Sequence, residues 1–134
     1  MGVLRYDPLN TAVAPQPTLT HLEALLIRAK GTGARLRVEG NPRVLPAGVE
    51  LSAYRVVEHL LDALQDGADV EVCVRFGDEA LELRVSGRAR RRAETDAAIA
   101  RARERIALQR GTIEARTRGG RAEAVAQLPV LAGV

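Results

Sequence analysis

The chain has 134 residues and a formal net charge of +3, and it is 46% apolar but only 2% aromatic. That length and apolar content suit one domain around one hydrophobic core and exclude a disordered chain. Tyr6, Tyr54 and Phe76 are the only aromatics, so the core is aliphatic and base-stacking platforms for single-stranded nucleic acid are excluded.

Nearly every positive charge is Arg, with Lys30 the only lysine. The run Arg88-Ala89-Arg90-Arg91-Arg92 is expected to be a solvated loop. Phosphate, acidic protein or nucleic acid are its alternative uses, but no recognition-helix motif or zinc site accompanies it, and nucleic acid is not an expected partner. Cys73 is alone, so no internal disulfide forms. No apolar run approaches the roughly 18 residues of a membrane span, and no signal-peptide pattern opens the chain. The expected setting is the cytoplasm without membrane contact, either free or as the soluble end of a membrane-bound protein.

Residues 1–17 contain Pro8, Pro15 and Pro17 and show no period, so they read as a linker or extended arm. The folded domain is expected over 18–130, with 131–134 as a tail. Thr20-His21-Leu22-Glu23 has the capping-box spacing, and Leu22, Leu25, Leu26 and Ala29 follow on one helical face until Gly31 or Gly33. Arg35 to Glu39 alternates as a half-buried strand. A second helix is predicted from about Val49 to Asp66, with Leu51, Tyr54, Val57, Leu61 and Leu64 on one stripe and Gly67 as its C-terminal stop. Val70 to Phe76 and Leu81 to Val85 alternate around Gly77-Asp78 as a hairpin. A third helix is predicted over Thr95 to Gln109, followed by strands at 111–118 and 122–129 around Gly119-Gly120. This order predicts an α+β fold, a two-layer sandwich with a mixed, mostly antiparallel sheet and three helices on one face.

Several fragments in this order resemble a known family. They are Ala14-Pro15-Gln16-Pro17, Leu19-Thr20-His21-Leu22-Glu23, Leu36-Arg37-Val38-Glu39-Gly40, Leu45-Pro46-Ala47-Gly48-Val49 and Ala53-Tyr54-Arg55-Val56-Val57. Arg103-Glu104-Arg105-Ile106, Gly111-Thr112-Ile113-Glu114-Ala115 and Leu128-Pro129 continue the series. Together, from Pro15 to Val130, they resemble the C-terminal ATP-binding domain of bacterial two-component sensor histidine kinases, in the nitrate and membrane-fluidity sensor group of the GHKL superfamily. The resemblance implies a Bergerat-type sandwich that binds Mg-ATP between its helices. It also implies a partner, the dimerisation and phosphoacceptor domain of a parent kinase or another signalling protein. Neither His21 nor His59 resembles a phosphoacceptor, so the chain by itself is not a complete kinase.

The family's first motif is a Glu followed four residues later by an Asn on the central helix. Residues at that spacing share a face, so the Glu acts as base or orienter while the Asn oxygen holds Mg. Glu58 and Asp62 match it, as catalytic residue and as Mg ligand, with Asp66 continuing the face. A register counted from Tyr54 instead places His59 and Ala63 there and abolishes the motif, and the same acids also fit the wet face of an amphipathic helix. The second motif, Asp-x-Gly-x-Gly, is represented by Ser86-Gly87-Arg88-Ala89: Gly87 survives, but the carboxylate that receives the adenine amine is absent. The glycines of the third motif fall on Ala98 and Arg101, where Arg101 could instead pair with phosphate, and Gly119-Gly120 matches the family's late glycine turn. These departures imply a degenerate site whose cofactor is Mg-ATP if it functions and none otherwise.

Overall fold

A computed structural model describes residues 19–67 and 69–130. The arm at 1–17, the start of the domain at Thr18 and the tail at 131–134 lie outside the described residues. A 3-10 turn at Leu19–His21 leads into α1 (Leu22–Lys30), then β1 (Arg35–Gly40), α2 (Ala47–Leu61), β2 (Glu71–Phe76) and β3 (Ala80–Arg88). Helix α3 (Arg92–Leu108) and the strands β4 (Thr112–Arg118) and β5 (Arg121–Pro129) complete the domain. The sheet order is β1-β2-β3-β5-β4; β1 joins β2 in parallel and every other pairing is antiparallel. The expected mixed sheet under three helices is what forms.

Strand alternation explains why one face is covered. Val72 and Val74, then Leu81, Leu83 and Val85, then Ala122, Ala124, Ala126 and Leu128 are all buried. They meet Leu22, Leu25 and Leu26 of α1 and Val56, Val57, Leu60 and Leu61 of α2 in one cluster. The intervening residues stay on the open face, where Arg35 pairs with Glu71 at 3.8 Å and Arg84 with Glu123 at 3.5 Å. A one-sided antiparallel sheet keeps such a face wet. Among the described residues no helix is long and apolar enough to cross a membrane.

Three local expectations are corrected. Thr20 lies within the 3-10 turn and His21 occupies the N-cap, so α1 begins after the capping-box position. Helix α2 ends at Leu61, not Asp66. The next N–H groups bond three residues back, Ala63 to Leu60 and Leu64 to Leu61, and Leu64 then bridges to Ala89. The Leu64 carbonyl accepts from Lys30 Nζ at 2.6 Å and Arg90 Nε at 2.8 Å. Helical propagation would aim that carbonyl along the axis, and these two cations draw it sideways. Gly67 therefore does not cap α2; its N–H donates instead to the Lys30 carbonyl at the end of α1, at 3.3 Å.

The arginine run is the third correction. Arg88 ends β3, Ala89 N–H donates to the Gly120 carbonyl, Arg90 N–H donates to the Ala63 carbonyl, and α3 starts at Arg92. The backbone of the run is docked, while the side chains of Arg88, Arg90, Arg91 and Arg92 are all exposed, Arg91 and Arg92 most of all at 85% and 93%.

Candidate functional site

The residues singled out in the sequence converge at the junction of α2, the end of β3 and α3. Glu58 projects from the last turn of α2 and pairs with Arg55 at 2.9 Å. Asp62 occupies the C-cap of the same helix, and its carboxylate stands 3.6 Å from Arg101 of α3. Both partners are about half exposed, at 61% and 48%, so the pair fixes geometry more than it adds stability. Between them, burial pushes the His59 imidazole below its ordinary pKa; Arg101 adds to the effect, while Glu58 and Asp62 oppose it.

Asp66 does not share that face. The chain has left the helix by then, and Asp66 instead meets Lys30 at 3.1 Å and Arg90 at 3.8 Å. Lys30 and Arg90, which no sequence motif marks, form the tie between α1, the end of α2 and the start of α3. One signal was available: Leu22, Leu26 and Lys30 fall at i, i+4 and i+8, placing the only lysine on a buried stripe.

Gly87 sits inside β3, where a Cβ would stand 3.1 Å from Leu64 Cδ1 and 3.4 Å from Val70 Cγ2. Its lack of a side chain lets the end of α2 settle on the sheet. Gly119 and Gly120 form the β4–β5 turn with φ of +60° and +80°, and a Cβ on either would meet nothing within 4 Å. Two successive positive φ values are what a type I′ hairpin turn requires, so the demand there is conformational.

The space enclosed by these elements is small. Leu60, Ala63, Leu64, Val85, Ile99, Ala122 and Ala124 bound a cavity of about 10 Å³. Ala98 and Ala102 of α3 are fully buried, and α3 lies directly along α2. Thr95 Oγ1 donates to the Ala63 carbonyl at 2.9 Å and closes the junction from the α3 side. Among the described residues no three His, Cys, Asp or Glu side chains converge as a metal site.

The architecture has solved counterparts. The histidine kinase domain of the Erythrobacter litoralis EL346 blue-light activated kinase superposes with a TM-score of 0.61 at 16% identity, over 91% of this chain and 68% of that one. Acinetobacter baumannii histidine kinase AdeS gives a TM-score of 0.59 at 11% identity, over 91% of this chain and 71% of that one. The fold is the histidine kinase ATPase fold. A second structure of the EL346 histidine kinase matches at 0.59 and 14% identity, over 88% of this chain but only 47% of its own. By sequence, no protein-family profile and no curated protein matches the chain. The histidine kinase likeness is therefore carried by the order and packing of elements.

Proposed function

We propose that the chain is a histidine-kinase-type ATP-binding domain of a two-component signalling protein that has lost ordinary Mg-ATP binding and acts as a regulatory or interaction module. Its proposed setting is the cytoplasm, and its proposed partner is the dimerisation and phosphoacceptor domain of a parent kinase or another signalling protein. The nitrate and membrane-fluidity sensor group is the branch to which its sequence fragments point.

One observation carries this reading: the α2–α3 junction is closed where the resemblance puts the nucleotide. Only Ala89, Arg90 and Arg91 separate β3 from α3, which is too short a span to form a cover over a ligand. The cavity of about 10 Å³ is at the lower limit for one water, roughly 10–15 Å³, whereas small-molecule pockets run to about 300–1,000 Å³. The residues present do not fit Mg-ATP. Asp62 faces Arg101 and not an open metal position, Gly87 is covered by Leu64, and Ala98 is sealed against its neighbours. Losing the adenine-binding carboxylate alone removes a charge-assisted hydrogen bond of about 1.5–3 kcal/mol.

Isothermal titration with Mg-ATP and with ADP tests the reading. The expected result is no Mg-dependent saturable binding up to millimolar nucleotide and no ATP hydrolysis. Saturable binding with Kd below about 1 mM that requires Mg and disappears in Glu58→Ala or Asp62→Ala would establish a working catalytic domain instead.

A further inference from the structure

Over most of the open sheet face the charges are arranged in opposite pairs. Arg35 and Arg37 both face Glu71, and Arg84 lies between Glu82 and Glu123. At one end the pattern breaks. The register places Arg88 of β3 beside Arg121 of β5, and Arg121 beside Arg118 of β4. None of the three has an acidic partner among the described residues. Like charges directly opposite in a sheet oppose pairing. Charges that guard an edge strand against aggregation account for Arg118 on β4, but not for Arg88 and Arg121 on the inner strands.

Around the β4 edge, on the helix side, lies a cleft of about 480 Å³ between α3 and β4. Arg92 and Arg103 of α3 line it, Arg116, set opposite Glu123 on the open face, reaches it around the β4 edge, Ile99 and Ala115 give it an apolar patch, and Asp96 is its only acid. Arg92, Asp96, Ile99 and Arg103 follow helical three- and four-residue spacing, so they share one flank of α3. Arg101, on another flank, faces Asp62. The cleft therefore opens on the far side of α3 from Asp62, with Thr95 and Ile99 as the wall it shares with the closed junction.

Its guanidinium groups are weakly engaged. Arg116 has no ion pair among the described residues. Arg103 donates one long bond, 3.4 Å, to the Ile113 carbonyl. Arg92 meets Asp96 at 3.6 Å while 93% exposed, a contact that water and salt screen. Planar guanidinium forks match phosphate oxygens two at a time, and the cleft volume lies within the small-molecule range of about 300–1,000 Å³.

We propose that this cleft binds a small polyanion, a molecule carrying two or more phosphate groups, through Arg92, Arg103 and Arg116. The Arg88, Arg121 and Arg118 row around the edge strengthens the field that draws the anion in. The site does not depend on the histidine kinase reading, because it uses neither Asp62 nor Mg.

The full chain titrated with inorganic pyrophosphate in Mg-free, low-salt buffer provides the test. Saturable binding with Kd below about 1 mM is expected, weakened at least about tenfold in Arg92→Gln/Arg116→Gln and unchanged in Asp62→Ala. On the wild-type chain, amide shifts should centre on Thr95, Ile99, Thr117 and Gly120 and spare Glu58 to Leu61, a map that needs no variant to fold. No saturable binding up to about 10 mM pyrophosphate, or full binding in the double variant, overturns the proposal. So does tighter, steeply salt-dependent binding of a short duplex DNA with shifts spread over Arg88, Arg118 and Arg121, because that marks an extended nucleic-acid surface.

Discussion

Replacing Lys30 tests the junction on which the packing of α1 depends. The side chain ends the buried stripe of α1 at 5% exposure, donating to the Leu64 carbonyl at 2.6 Å and meeting Asp66 at 3.1 Å. Lys30→Met keeps a stem of similar length and removes all three donors. The lost hydrogen bond from a charged donor is worth about 1.5–3 kcal/mol. The Asp66 pair adds only a few tenths of a kcal/mol, because that carboxylate is 70% exposed and screened. Relief from burying an ammonium offsets part of the loss, and the Leu64 carbonyl keeps its bond from Arg90. A net loss of about 1–2 kcal/mol follows, which at roughly 4 °C per kcal/mol lowers the melting temperature by about 4–8 °C. Lys30→Ala should cost about 2–4 kcal/mol, since it also leaves a cavity where the stem packed. Urea denaturation followed by circular dichroism reads both. If Lys30→Met matches or exceeds the wild type, desolvation of the ammonium outweighs its bonds and the reasoning fails.

Arg90→Ala should cost about 1–2 kcal/mol through the Leu64 carbonyl, whereas Arg91→Ser/Arg92→Ser should stay within about 0.5 kcal/mol; equal losses in a thermal melt would contradict docking by Arg90 alone. Gly87→Val should destabilise by about 1–3 kcal/mol, since its branches press on Leu64 and Val70 where a Cβ already stands at 3.1 and 3.4 Å; an unchanged urea midpoint would show that α2 moves away freely. The folded-state pKa of His59 is lowered, so the unfolded chain takes up the proton more readily. Its contribution is therefore fully present above the unfolded value of about 6.5 and is lost as pH falls through the folded value. His59→Gln should flatten the stability profile as pH falls below about 6.5, and an identical slope in the variant would rule out this source.

The layer order was legible because each strand alternates cleanly and each helix carries an apolar stripe. Leu81, Leu83 and Val85, for example, specify both the strand and its buried face. The end of α2 was illegible for a related reason. Leu61 and Leu64 continue the helical period and both are buried, yet the backbone between them tightens and turns. Periodicity records burial, while the carbonyl bonds from Lys30 and Arg90 that end the helix come from residues distant in sequence. That same displacement takes Asp66 away from Glu58 and Asp62. Gly87 was recognisable as a special position, but a glycine required for close backbone approach to a ligand and one required for a leucine look alike in sequence. The pairing of Asp62 with Arg101 depends on how α3 lies along α2, which no local pattern encodes.

The unequal attachment of the strands has a dynamic consequence. Strand β1 has a single neighbour, reached only after α2 has crossed the sheet, while β2, β3, β5 and β4 form an antiparallel block with two tight hairpins. Pairings distant along the chain are the slower to close, and an outer strand held on one side is the easier to release. Residues 19–40 are thus expected to open as one unit, with the Lys30 tie to Leu64 as its latch. Amides of Arg37 and Glu39, which alternate with the Arg35 N–H that donates to β2, should exchange with solvent through openings that leave Leu83 and Ala126 protected, and breaking the latch should speed the first pair alone.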